Sequence, residues 1–260
     1  MFLEKIVATK REEIKQLHLT YTDQDWEKAS ALPRGCSLAQ ALQSQPALSV
    51  IAEVKPASPS KGVIRETVDP VATALAYERG GASAVSVLTD VSYFKGKPES
   101  LTRVKEAVKI PVLRKDFILE PVQVLESKFL GADAILLIAA LLDREKLQLL
   151  RGTARQLGME VLVEIHEESE VPLALACEAD VIGINNRNLY TFVTEIETTE
   201  RLRPLLPQDC PVIGESGVHS AEDAERLAKA QVDGILVGEY LMRQADPERA
   251  VRRLIEREIG

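Results

Sequence analysis

Short apolar runs recur along this chain, with amphipathic stretches between them that carry their own start and stop signals. The runs cover residues 48–55, 83–88, 110–115, 133–138, 160–165, 180–185, 211–215 and 233–238. None alternates cleanly between apolar and polar positions, which is the pattern of parallel strands covered on both faces. Several are too short for periodicity alone to separate strand from helix, so the intervening stretches must decide. Asp69 followed by Pro70 reads as an N-cap and first helical residue, with Gly80 and Gly81 at the stop. Pro121 opens and Gly131 closes the next well-marked stretch, and a third spans 143–158. Ser220 with Asp223 three residues on is a capping-box analogue, and Asp246-Pro247 repeats the Asp-Pro start. Helical patterns also cover 99–109, 170–177 and 198–205, the second weakened by Pro172.

Eight strand–helix units in a chain of 260 residues predict an α/β fold of the (β/α)8, or TIM-barrel, type. A doubly wound open sheet would more often have fewer strands and a glycine fingerprint after the first one, where this chain has Pro56 and Ser58. Leu3, Ile6, Val7, Ile14 and Leu17 form one helical stripe, so residues 1–47 read as an N-terminal helical extension packed on the barrel. A single domain over 1–260 is expected, with the barrel occupying 48–260.

Composition narrows the function classes. The chain is 45% hydrophobic and 28% charged, with a formal charge of -8, which argues against general nucleic-acid or anionic-membrane binding. A local cationic site for a small anion stays open. No apolar run reaches the roughly 18–20 residues that span a bilayer. The charged start, MFLEKIVATKREEIKQL, lacks the apolar core of a signal peptide. Cys36, Cys177 and Cys210 are odd in number and far apart, and read as reduced thiols of a cytoplasmic protein. His18, His166 and His219 show no ligand spacing, so no metal is expected. Trp26 and the few phenylalanines read as core or pocket walls.

The chemistry lies at the predicted strand ends. In this fold the C-terminal ends of the strands and the loops after them form the active-site rim. The first strand ends in Glu53 and Lys55, the third in Lys115, the fifth in Glu164, and the sixth at Asn185 with Arg187 two residues later. The seventh ends at Glu215-Ser216-Gly217 and the eighth at Gly238-Glu239. One such charge alone would most often be an ion pair or a solvated strand end; five charged ends on one rim weaken that reading. Glu53 and Lys55 are two apart and share a face, so they either pair with each other or both face a ligand. Lysines among carboxylates make a plausible acid–base set. Neighbouring cations would lower a lysine's pKa and carboxylates would raise it, and composition does not say which wins. Gly217 and Gly238 either permit tight turns or build a phosphate site, with Lys55 close by on the strand adjacent to the eighth.

The stretches IAEVKPASPSKG, LTDVSYFKG, PVLRKDFILEPVQ, GADAILLIAALL, VLVEIHEESE, IGINNRNL, GESGV and ILVGEYLM run in order across nearly the whole chain. Together they resemble the indole-3-glycerol phosphate synthase family of tryptophan biosynthesis. The resemblance implies a carboxy-lyase without metal or organic cofactor, closing 1-(2-carboxyphenylamino)-1-deoxyribulose 5-phosphate to indole-3-glycerol phosphate. It implies Lys115 as general acid, Glu164 as its paired carboxylate and base, and Lys55 as partner of substrate anions and possible second acid. Glu53 and Asn185 orient these groups, and Glu215 and Ser216 complete the polar wall. Gly217, Gly238 and the Glu239 backbone hold the phosphate, and Ser58 and Arg187 lie near the substrate's polar groups. Phe94, Phe117, Leu136 and Leu189 form the slot for the aromatic ring. Tyr240 departs from the small residue many relatives carry and would either narrow the phosphate end or pack on its helix; Lys61 is unassigned. The expected partner is a small phosphorylated molecule, with no nucleic acid or membrane, and the chain is expected as a monomer that could associate with other enzymes of the pathway.

Three rivals stand beside this reading. Phosphoribosylanthranilate isomerase usually carries a cysteine at the first strand end, where Glu53 and Lys55 stand here. A Schiff-base aldolase would most often place its lysine near the sixth strand, which holds Asn185. A non-catalytic phospho-ligand binder would keep the glycines without needing Glu53, Lys115 and Glu164 together.

Overall fold

Burial decides the strand register. In the computed structural model, which describes residues 2–44 and 48–256, eight parallel strands close into a barrel. They are β1 (Ser49–Val54), β2 (Ala84–Leu88), β3 (Val112–Lys115), β4 (Ala134–Ile138), β5 (Glu160–Ile165), β6 (Val181–Asn185), β7 (Val212–Glu215) and β8 (Gly234–Val237). All but β3 and β5 are buried at every position, as expected of strands covered on both faces. Each strand pairs with its sequence neighbours, and β1 closes the ring on β8 with Ser49 opposite Gly234 and Ala52 opposite Val237.

Alternate residues divide the core in two. Ile51, Leu113, Leu162, Ile213 and Leu236 belong to one apolar cluster filling the barrel interior. Val50, Val85, Val112, Ile135, Val163 and Val212 belong to a second, beneath the outer helices. Because side chains repeat every two residues along a strand, the inward set continues from Ile51 to Glu53, from Leu113 to Lys115, from Leu162 to Glu164 and from Ile213 to Glu215. The apolar plug thus gives way to a charged layer at the strands' C-terminal ends.

The helices are α1 (Phe2–Thr20), α2 (Asp23–Ala31), α3 (Leu38–Gln43), α4 (Pro70–Arg79), α5 (Pro98–Ala107), α6 (Pro121–Leu130), α7 (Arg144–Gln156), α8 (Val171–Ala176), α9 (Glu197–Leu202), α10 (Ala221–Lys229), α11 (Glu239–Arg243) and α12 (Pro247–Ile255). The forecast caps are present: Asp69, Asp143, Ser220 and Asp246 each accept backbone N–H groups of the first turn. Pro172 does not weaken α8, because it sits in the first turn, where its missing N–H has no helical acceptor to lose. The helix expected over 198–205 instead ends at Leu202 and passes into a 3-10 turn, Arg203–Leu205, since Pro204 cannot donate to the preceding turn. A small antiparallel pair, Ala57–Ser58 with Gly62–Val63, shapes the loop after β1.

Residues 45–47 and 257–260, at the expected end of the extension and of the last helix, lie outside the described residues. The extension reaches both ends of the barrel. Leu3 and Ile6 of α1 join the interior cluster at the charged end. Leu38 and Leu42 of α3 join it at the opposite end, where Glu160, at the start of β5, accepts the Ser37 hydroxyl and the Ala39 N–H. Among the described residues no helix is long and apolar enough to cross a membrane.

Candidate active site

At the C-terminal rim the charged layer lines one cleft of about 1090 Å³, its open mouth included. The Lys115 ammonium stands between two carboxylates, 3.2 Å from Glu164 and 3.2 Å from Glu215. Glu53 and Lys55 pair with each other at 3.0 Å, and Lys55 also lies over the Phe94 ring. The two options for that pair are thus compatible, since both side chains line the cleft while touching. Asn185 hydrogen-bonds Glu164 and receives the Arg187 N–H at its side-chain oxygen.

The electrostatics follow from burial and partners. Burial alone would lower the pKa of Lys115, but Glu164, Glu215 and Glu53 outweigh it and hold the ammonium charged well above its ordinary range. This answers the question that composition left open: the carboxylates win. Burial opposes ionisation of Glu164 as well, yet Lys115, His166 and Asn185 hold that carboxyl well below the usual range. Glu215 goes the other way: burial and the charge on Glu164 push it up to about 8 despite Lys115. Lys115 faces both buried carboxylates, while His166 and Asn185 support only Glu164, so Glu215 is the member of the pair whose ionisation is opposed.

The proton on Glu215 has a consequence for stability. Its folded-state pKa lies above the ordinary 4.5, so the folded chain keeps a proton that the unfolded chain releases. Stability therefore falls as pH rises from about 4.5 to about 8. Replacing Glu215 by Gln removes that dependence. In thermal melts, Glu215→Gln should gain stability relative to the parent at pH 8.5 and little or none at pH 5; an equal difference at both would show that Glu215 is ionised throughout.

The apolar side of the cleft holds Phe94, Phe117, Leu136 and Leu189, with the two phenylalanine ring centroids 6.0 Å apart. The remaining wall carries Ser58, Arg187, Ser216, Gly217, Gly238 and Glu239. Ser216 and Gly217 both adopt positive φ, +65° and +90°, which turns the loop sharply after β7. A Cβ at Gly238 would stand 2.5 Å from a Glu53 carboxylate oxygen, so glycine here makes room for the Glu53–Lys55 pair. Arg187 donates to the Ser60 hydroxyl, while its Nε and the Ser58 hydroxyl are buried without partners among the described residues. Orphaned donors in a cleft are what an anionic ligand would satisfy. Lys61 lies outside the lining, 3.8 Å from Glu239. Tyr240 also lies outside it and packs on the outer apolar cluster, so it leaves the glycine end unobstructed.

All sixteen residues singled out from the sequence line this one cleft. The match to known proteins is equally broad. The family model for indole-3-glycerol phosphate synthase matches residues 3–254. A protein named indole-3-glycerol phosphate synthase from Desulfotalea psychrophila is 50% identical over 244 residues, covering 93% of each chain. Its namesake from Geobacillus thermodenitrificans is 50% identical over 260 residues, covering 99% of this chain and 98% of that protein. The chain belongs to the indole-3-glycerol phosphate synthase family. Among solved structures, thiamine phosphate pyrophosphorylase from Pyrococcus furiosus superposes with a TM-score of 0.63 at 16% identity, over 84% of this chain and 95% of that one. A 3-hexulose-6-phosphate synthase gives 0.62 at 13%, over 80% and 98%, and both likenesses concern the barrel alone.

In this member of the synthase family the cleft is also lined by residues that the sequence did not reveal. Phe2, Leu3 and Ile6 of α1 line the cleft, as does Phe192, whose ring lies 5.6 Å from that of Phe2. The stripe containing Leu3 and Ile6 is legible as a packing surface, but nothing in it indicates that its first turn also borders the cleft. His166, set aside for want of ligand spacing, has its Nε2 3.3 Å from Glu164 and its Nδ1 3.6 Å from Glu170. Burial opposes its charge, yet these two carboxylates raise its pKa to about 9. Its signal was position: two residues after Glu164, at the end of the same strand.

Proposed function

We propose that this cleft performs the synthase reaction with Lys115 as its general acid. The substrate is 1-(2-carboxyphenylamino)-1-deoxyribulose 5-phosphate; the products are indole-3-glycerol phosphate, carbon dioxide and water. The observation that carries the assignment is one ammonium held between two buried carboxylates at the floor of a cleft with an apolar wall.

The aromatic carbon bearing the carboxylate attacks the ketone carbon, and negative charge develops on the ketone oxygen. An ammonium already aimed at that oxygen stabilises the charge without reorganisation and transfers its proton as the alkoxide forms. Its raised pKa is no obstacle, because an alkoxide is far more basic than a lysine amine. The carbon–carboxylate bond then breaks, carbon dioxide leaves, and the electron pair restores the aromatic ring. Loss of the new hydroxyl as water completes the indole: Lys55, or Lys115 once reprotonated, gives the departing oxygen its proton, and Glu164 takes the proton from the adjacent carbon. Glu215 carries a proton beside Lys115 and can return one to the amine.

In this reading Phe94, Phe117, Leu136 and Leu189 hold the ring against the ketone, an orientation worth several kcal/mol of barrier. Arg187 and Ser58 meet the substrate's polar groups through their unpartnered donors. Lys55 serves its anions, with Glu53 and Asn185 orienting the charged layer. Gly217, Gly238 and the Glu239 backbone cradle the phosphate, and Ser216 completes that wall. The enzyme is read as a cytoplasmic monomer of one domain that takes a small phosphorylated molecule; three cysteines without disulfides suit that compartment.

The test is direct. The purified protein is incubated with the carboxyphenylamino-deoxyribulose phosphate, no metal added, and the rise of indole fluorescence is followed. Steady product formation is expected; binding of the substrate with no fluorescence would favour the phospho-ligand binder instead.

A further inference from the structure

A lysine occupies the apolar face of α1. Lys10 lies one turn from Ile6 and one from Ile14, both buried, and is itself only 2% exposed. Its ammonium is 3.0 Å from Asp90, 2.8 Å from Asp116 and 2.7 Å from Glu13. Burial alone would lower its pKa, but Asp116, Glu13 and Asp90 more than offset that and keep it charged. Burying such a cluster is costly, and an apolar side chain of similar volume often serves stability as well or better. What the charge accomplishes is therefore to be sought in what its partners hold.

Both aspartates shape loops of the cleft. The second side-chain oxygen of Asp90 accepts the N–H groups of Tyr93 and Phe94, at 2.7 and 3.1 Å. Asp116, directly after Lys115, accepts the Phe117 N–H at 2.8 Å through the same oxygen that meets Lys10. Its other oxygen takes the Thr89 hydroxyl and the Arg114 guanidinium. One ammonium therefore joins the loops after β2 and β3, whose Phe94 and Phe117 line the aromatic slot. A second tie runs from the same helix to the same loop. The Tyr93 hydroxyl lies 2.8 Å from that of Thr9 and donates to the Lys5 carbonyl at 3.1 Å.

We propose that Lys10 is a positioning residue for the reaction. From the N-terminal helix it clamps Asp90 and Asp116 together, and so fixes the spacing of Phe94 and Phe117 around the substrate ring. Lys10 touches no reacting atom and does not line the cleft. Its effect on turnover rests on the function proposed above; its effect on the two loops rests on the geometry alone.

The test uses Lys10→Met, which keeps much of the volume and removes the charge, beside Lys10→Met/Asp90→Asn, which removes opposite charges together. Two readouts are taken below the melting transition, per folded molecule. In steady-state kinetics both variants should lose at least about tenfold in kcat/KM, because a displacement of about 1 Å can cost on the order of 100-fold. The double variant should recover thermal stability relative to Lys10→Met without recovering kcat/KM, a separation that a purely structural role would not produce. By hydrogen-exchange mass spectrometry, segments 90–97 and 116–120 should exchange faster in both variants, with the strands on the opposite side of the barrel unchanged. A kcat/KM within threefold of the parent, or unchanged exchange in those two segments, overturns the proposal. Should the parent itself fail to turn over the substrate, the reaction assignment falls, and the exchange readout still decides the role of Lys10.

Discussion

Lys115→Met is expected to lower indole formation by at least about 100-fold while the barrel stays folded, the usual scale for loss of a general acid. The substitution removes the only ammonium that touches both Glu164 and Glu215 among the described residues. In the proposed reaction it also removes the donor to the developing alkoxide, so the loss should fall on kcat more than on KM. A buried ion pair broken from one side typically costs about 3–5 kcal/mol, so a lower melting temperature should accompany the loss. Circular dichroism at the assay temperature separates that from unfolding. Lys115→Arg sharpens the reading: guanidinium keeps the charge but does not give up a proton near neutral pH. If the arginine variant turned over at near-parent rates, Lys115 would be an electrostatic anchor and not an acid.

The second large effect is expected from Glu164→Gln. Glutamine keeps the size and one acceptor oxygen but cannot take a proton, so a loss of at least about 100-fold is again expected, now at the later step. Single-turnover experiments with enzyme in excess distinguish the two variants. Glu164→Gln should release carbon dioxide well before indole fluorescence appears, because condensation and decarboxylation still have their acid. Lys115→Met should delay both together. The fold should tolerate this change better than the loss of the lysine. With the neighbouring charge gone, Glu215 is free to ionise and pair with Lys115, so the buried cation keeps a counter-charge. Simultaneous release of carbon dioxide and indole by Glu164→Gln would remove it from dehydration.

Much of the barrel and of the cleft could be read from the chain because buried parallel strands tolerate charge poorly. A lysine or glutamate at the end of an otherwise apolar run is conspicuous, and the two-residue repeat then says which charges share a face. Glu53 with Lys55 was visible on that ground alone. The loops' glycines are legible from their place between a strand and a helical start, although only in the folded chain does Gly238 make room for the Glu53 carboxylate.

What escaped depends on partners distant in sequence. Lys10 belongs to a helix whose stripe reads as apolar, and a single lysine on it looks like an interruption. Its carboxylates are Asp90 and Asp116, each in a different loop, and no local pattern announces the meeting. Arg114 is the same case on the outer face of β3, where Asp116 and Glu126 enclose it. His166 has no metal-ligand spacing, and its partners Glu164 and Glu170 mark it only once the strand end is folded. Phe192 lies in a loop, at positive φ, where periodicity carries no information.

The closure of the ring has a consequence for how the molecule is made. Ile51 can meet Ala84 of β2 early, but Ser49 pairs with Gly234, so the last strand must be synthesised before the first can find its second neighbour. Contacts of such long sequence separation are slow to form, because the intervening chain loses its freedom before the pairing rewards it. The same event carries Lys55 to Gly238 and draws both walls of the cleft together. A nascent chain that stops short of β8 therefore leaves one edge of the first strand open to aggregation and lacks the Gly238 wall of the cleft.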